Sequence, residues 1–293
     1  MNVNAPFKIV ISASRRTDIP AFYMPWFMEQ IERGVFEVVN PFNRQVRKVP
    51  ATPAEVHTIV FWSKDFGMFL KQNQGERLQQ MGYHLFFNFT INSSTLVLEP
   101  HVPPLDVRLE QLEQLCDRFG SSVINWRFDP ICFFSVGNGA LQDNLHDLRR
   151  IAEKAAECGI KRCITSFLDF YPKIDKRIAE LPGFSFINPP MDAKKTTILE
   201  IERLLSAYQI NLKLCCEKEV MDQLPQESTV TQSSCIPNDL LVKLFGGKLS
   251  LKKDAGQRIR KGCGCKVSVD IGSYHHHPCF HNCLFCYANP ASK

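Results

Sequence analysis

No stretch of this 293-residue chain reaches 18 consecutive apolar residues, so no membrane span is expected. The opening residues, 1–6, carry no basic segment followed by a long apolar run, so they do not read as a secretory signal. There is no glycine-rich phosphate loop, no G-x-S-x-G nucleophile elbow and no H-E-x-x-H zinc helix. Internal repeats and low-complexity segments are also missing, which speaks against a repeat array. Neither sign of charge dominates: 35 Lys and Arg stand against 30 Asp and Glu, for a net +5, and the basic residues are scattered. That balance is compatible with an anionic substrate or nucleic acid, and equally with an ordinary solvated surface.

What is present is apolar bulk and sulfur. A hydrophobic share of 44% with 22 Phe supplies a large core, and the length suits one large domain, or one and a half. Twelve cysteines in a chain without an export signal point to metal binding rather than disulfides, and to the cytoplasm.

Strand-like and helix-like segments alternate. Apolar β-branched or aromatic runs predict strands at 8–13, 58–62, 84–90, 123–128, 162–167, 211–216 and 266–271. Helical spacing predicts helices at 20–32, 65–77, 105–119, 141–158 and 193–208, with Gly120 and Gly159 as stops. Residues 217–250 are less regular, and 223–234 reads as a polar loop. The alternation predicts an α/β fold with a parallel sheet. About seven βα units suggest a TIM-like barrel, complete or partial, with an open doubly wound sheet as the alternative. Residues 1–214 are expected to form the barrel body. Residues 215–293 form a cysteine-rich region that completes it.

The sharpest signal is Cys279-Phe280-His281-Asn282-Cys283-Leu284-Phe285-Cys286. A C-x3-C-x2-C loop can wrap three corners of a cubane [4Fe-4S] cluster and leave the fourth iron open. A zinc site would need a fourth ligand, and His277, His281 or Cys265 could supply it. Cys216, Cys235, Cys263 and Cys265 form a second candidate group, for an iron–sulfur cluster, a structural zinc or simply buried thiols. Cys215 should alternate to the opposite face of its strand, so Cys216 is preferred. Cys116, Cys132, Cys158 and Cys163 read as singletons. The run His275-His276-His277 reads as a solvated loop or a source of one ligand, and His281 as a group that could tune a cluster by hydrogen bonding.

Polar residues gather where the strands end, as a barrel's active mouth requires. Arg15 and Arg16 follow the first strand and suit a carboxylate or phosphate, or a salt bridge to Asp18 or Asp129. Ser14 and Asp18 beside them are candidate cofactor-binding residues. Arg127 and Asp129 alternate with Trp126 and Phe128, so both project from one face of their strand. They are candidate catalytic groups with Arg15 and Arg16, or else a structural ion pair.

The loop from Cys279 to Tyr287 resembles the cluster loop of the radical SAM enzymes, spore photoproduct lyase among them. The whole chain resembles a bacterial family of unknown function with a similar C-terminal cysteine cluster. That likeness rests on the segments 12–20, 126–130, 263–265 and 268–272. It implies a [4Fe-4S] cluster on Cys279, Cys283 and Cys286 whose open iron chelates S-adenosylmethionine, with Phe285 near the adenine. Reductive cleavage would give a 5′-deoxyadenosyl radical. It further implies a reductant such as flavodoxin or ferredoxin, and a substrate that could be nucleic acid. In radical SAM enzymes the loop follows the first strand. Here it follows all the others, a permutation that a ring of strands tolerates when its ends lie close together. The glycine-rich segment that holds the methionine amine in that superfamily is not evident.

Overall fold

Eight strands lie side by side, and every pairing between them is parallel. The structure is a computed structural model that describes residues 7–39, 45–137 and 139–289. The strands are β1 (Ile9–Ala13), β2 (Val56–Ser63), β3 (His84–Thr90), β4 (Ile124–Ile131), β5 (Arg162–Phe167), β6 (Asn211–Leu214), β7 (Thr231–Gln232) and β8 (Val269–Asp270). Their order in the sheet is β7-β6-β5-β4-β3-β2-β1-β8. Each strand up to β7 therefore neighbours the one before it, and β8 returns to lie beside β1. Ten helices occur among the described residues: α1 (Ile19–Phe22), α2 (Met24–Arg33), α3 (Gly67–Lys71), α4 (Gln74–Gln80), α5 (Leu105–Phe119), α6 (Leu148–Glu157), α7 (Pro172–Ile178), α8 (Met191–Ala207), α9 (Lys218–Met221) and α10 (Asn238–Phe245). The chain is thus α/β with a large parallel sheet. Among the described residues no helix is long and apolar enough to cross a membrane.

The two faces of the sheet differ because side chains alternate along each strand. Register places Ile11, Ile59, Phe61, Phe87, Phe89 and Trp126 on one face, all fully buried. Phe27 of α2 meets Phe61 edge-on at 5.4 Å, Phe69 of α3 meets it at 5.1 Å, and Phe119 of α5 lies 5.1 Å from Phe87. Such aromatic pairs add about 0.5–1.5 kcal/mol each to the area they bury. The opposite face carries Ser12, Trp62, Asn88, Asn125 and Arg127. Its polar groups bond to one another: Asn125 Nδ2 donates to Asn88 Oδ1 at 3.0 Å, and Arg162 Nε donates to Asn125 Oδ1 at 2.7 Å.

The structure refines several expectations. The helix expected over 20–32 is broken at Tyr23, because Pro25 lacks an amide hydrogen and must sit in the first turn of a new helix. That expected over 65–77 is interrupted at Asn73, which takes a left-handed conformation at φ 51°. The helix expected from 141 begins only at Leu148, since residues 142–147 are rich in Asp and Asn, which favour turns and caps. The polar loop expected over 223–234 contains β7. A hairpin (Val35–Val39 with Val46–Pro50) and an antiparallel three-stranded sheet (Phe133–Val136, Gln142–Asp143 and Phe184–Ile187) were not anticipated. That small sheet covers a second apolar cluster, which includes Phe134, Ile174, Phe184, Cys283, Leu284 and Phe285.

Candidate functional site

The loop carrying Cys279, Cys283 and Cys286 sits where the parallel strands end. The segments after β1 and β3, the end of α1 and α7 hold it. After β1, Asp18 accepts from His281 Nε2 at 2.8 Å, from Ser63 Oγ at 2.7 Å and from the amide of Lys64 at 2.9 Å. The His281–Asp18 contact is buried on both sides. Burial opposes charge on the imidazole, but the Asp18 hydrogen bond lifts its pKa above the ordinary histidine value. After β3, the Leu98 carbonyl accepts from Leu284 N at 2.8 Å, and His101 N donates to the His281 carbonyl at 3.3 Å. From α1, Tyr23 Oη donates to the Pro278 carbonyl at 2.6 Å. From α7, the Arg177 guanidinium donates to the carbonyls of Cys283, Leu284, Cys286 and Asn289. One buried fork thus gathers the turn that carries two of the three thiols. Arg177 carries no motif in the sequence, and only its neighbours in space reveal its role.

The three thiols lie within electrostatic reach of one another. Cys283 is buried, and Cys279 and Cys286 are partly enclosed. Burial pushes the Cys279 thiol up to about 12 and raises those of Cys283 and Cys286. Lys64 and Arg177 pull the other way on Cys286, and Lys64 does so on Cys283. Lys64 Nζ pairs with Glu99 Oε1 at 2.5 Å and lies 5.4 Å from the centre of the Phe285 ring. The other Glu99 oxygen, Oε2, is buried without a partner. Glu99 had no signal in the sequence. Of the histidine run, His275 and His276 are exposed. His277 is half-buried against Trp26, with ring centres 4.1 Å apart, and burial lowers its pKa to about 4.

The candidate residues at the ends of β1 and β4 are brought together on the polar face. Asp270 of β8 accepts from Ser12 Oγ, Ser14 Oγ and the Arg15 amide at 2.7–2.9 Å. Gly272 lies so close that a Cβ there would fall 2.0 Å from Ser14 Oγ. The carboxylates that the sequence offered to Arg15 and Arg16 are engaged elsewhere: Asp18 with His281, and Asp129 with Arg127. Burial opposes ionisation of Asp129, yet Arg127 and Ser166 hold its carboxyl below the usual range. Arg16 Nη1 donates to the Gly272 carbonyl at 3.0 Å. The guanidiniums of Arg15 and Arg127 lie 5.4 and 5.2 Å from the Trp62 ring centre.

The second cysteine group does assemble, and it includes the residue that strand alternation set aside. Cys216 has φ 63°, a left-handed conformation that defeats alternation and brings its sulfur 3.7 Å from that of Cys215. Cys215 in turn lies 3.9 Å from Cys235. Cys263 and Cys265 lie within electrostatic reach of Cys216 and Cys235, which completes a ring-like group of five thiols. Cys116 of α5 and Cys158 at the end of α6 are not singletons either, since each lies within electrostatic reach of the other. Among the described residues no three Cys, His, Asp or Glu side chains are gathered as a single metal ion would require. Thiolates on separate irons of one cubane stand further apart than ligands of one ion.

The chain belongs to the family described as domain of unknown function DUF1848, which it matches over residues 10–288. No curated protein matches it.

Proposed function

We propose that this protein is a radical S-adenosylmethionine enzyme whose [4Fe-4S] cluster is held by Cys279, Cys283 and Cys286. The observation that carries the reading is the clamped cysteine loop, seated beside the polar strand ends of a parallel sheet. The donor set fits: three thiols on one loop, with the cations Lys64 and Arg177 within electrostatic reach of Cys283 and Cys286. When bound, such a cluster supplies one electron to the sulfonium of S-adenosylmethionine. Arg177 holds the turn through its carbonyls. Phe285 and Leu284, packed in the second apolar cluster, exclude water from one side. Arg15, Arg16, Arg127 and Asp129 line the polar face and are offered as the groups that bind and orient the reactants, with Ser14 and Asp18 fixing the end of β1.

The same reading includes a sheet rolled into a TIM-like ring. In a flat sheet β3 and β7 would stand four spacings apart, about 19 Å. Yet Asn88 Nδ2 of β3 donates to the carbonyl of Cys235, three residues beyond β7, at 2.9 Å. The segment before β8 also bonds to the segment after β7, with Gly264 N to Ser233 O at 3.2 Å and Lys266 N to Ile236 O at 3.0 Å. A ring explains how a cluster loop placed after the other strands still meets β1 and β2. The electron donor would be a flavodoxin or ferredoxin. The substrate is left open, nucleic acid included.

Anaerobic reconstitution tests the reading. The loop should take up roughly four irons with matching sulfide, and reduction with S-adenosylmethionine should release 5′-deoxyadenosine. Cys283→Ala should abolish that release. Binding of stoichiometric zinc with no uptake of iron would instead make this a non-catalytic metal protein.

A further inference from the structure

Five of the twelve cysteines come from three separated segments and converge in the main core. Three features set this ring apart from thiols that merely fill space. First, the backbone is shaped for it. Cys216 sits in the left-handed region, at a cost of about 1–3 kcal/mol for a residue with a side chain. Gly264, between Cys263 and Cys265, is packed so tightly that a Cβ would lie 2.4 Å from the Ser233 carbonyl oxygen. Second, two pairs of sulfurs are at ligand spacing. Two thiolates on one tetrahedral metal at about 2.3 Å stand about 3.8 Å apart, and the contacts from Cys215 measure 3.7 and 3.9 Å. Third, buried positive charge faces the ring. Arg127 Nη1 lies 2.6 Å from Cys235 Sγ, and the partly buried Arg15 is within electrostatic reach of Cys265 and Cys235. A neutral thiol is a weak acceptor for a buried guanidinium, whereas metal-bound thiolates carry a net negative charge.

We propose that four thiols of this ring bind a second, thiolate-ligated metal centre, separate from the loop and independent of its chemistry. The ligand is a thiophilic metal, as zinc or as an iron–sulfur core. Binding displaces the thiol protons and involves no electron transfer. The five thiols are not gathered around one point among the described residues, so binding would require side-chain rotations that bring four of them onto the metal. Arg127 and Arg15 would offset the excess negative charge.

The test uses the full chain with Cys279, Cys283 and Cys286 all replaced by Ala, which removes the loop site and leaves the ring intact. After anaerobic purification, this variant should keep either about one zinc per chain or iron with sulfide. Addition of Cys235→Ser and Cys265→Ser should remove that metal. A triple variant that holds no metal would overturn the proposal, whatever the loop does in the unsubstituted protein. A second measurement needs no variant. Alkylation of the native chain should label fewer of the five ring cysteines before a chelator is added than after. If the chelator leaves their labelling unchanged, the proposal fails.

Discussion

Two groups of cysteines lie in two different cores of this molecule. Two of the loop trio belong to the small apolar cluster under the antiparallel sheet, where Cys283 packs with Leu284 and Phe285 and Cys286 lies against them. The ring of five belongs to the main core behind the parallel sheet. The trio comes from eight consecutive residues and needs the fold only to hold it in place. The ring comes from residues 215–265 and exists only because β6, the turn after β7 and the approach to β8 meet. The contrast teaches that a short-range site depends on the fold only for its seating, whereas a long-range site is bound to the integrity of its core.

The largest expected effect would break the comparison if it failed. Cys283→Ala should remove all loop iron and leave the ring's metal in place, while Cys235→Ser combined with Cys265→Ser should do the reverse; metal analysis of each variant decides. Loss of both metals in either variant would merge the two groups into one. Next in size is Asp129→Asn, which leaves the buried Arg127 facing the ring without its carboxylate, at a cost of about 3–5 kcal/mol at neutral pH. The sign with pH is fixed. The folded pKa of Asp129 lies below its ordinary value, so its contribution is present above that value and is lost as pH falls through the folded pKa. Acid-unfolding curves of variant and parent should therefore converge at low pH. If the gap stays constant, the ion pair is not its source.

Arg177→Met should act on the small core alone. Loss of its bonds to four loop carbonyls should cost about 2–3 kcal/mol, read as faster amide exchange in residues 279–289 with β1–β6 unchanged. The smallest effect belongs to Gly264→Ala. The Ser233 strand end must shift to admit the methyl group, at about 1–2 kcal/mol. Metal retention by the ring should weaken while loop iron stays at the parent level, as competition with a chelator would show.

Much of the fold was legible in the sequence, because β1 to β6 are apolar or β-branched runs long enough to stand out. The trio was legible because its spacing is local. What escaped reading depended on distant partners or on single backbone angles. Cys215 was set aside on the rule of alternation, which holds only for extended backbone, and Cys216 is not extended. β7 is two residues long and gains its identity only from pairing with β6. Arg177 and Glu99 have no signature at all, since a lone charged residue becomes informative only when the groups it meets are known. The salt bridges offered to Arg15 and Arg16 as an alternative did not form, for a related reason. Several carboxylates lay within plausible reach, and the fold gave Asp18 to His281 and Asp129 to Arg127.

The position of β8 has a consequence for biogenesis. A ribosome makes the chain from its N-terminus, and domains begin to fold as they emerge. When the first seven strands are complete, the place beside β1 is still vacant, and Asp270, which ties Ser12, Ser14 and Arg15 together, has not yet been made. Cys279, Cys283 and Cys286 follow it. A nascent or prematurely terminated polypeptide would therefore carry most of the scaffold and none of the loop thiols, so any group these thiols bind could be taken up only after the scaffold that shelters them had been synthesised.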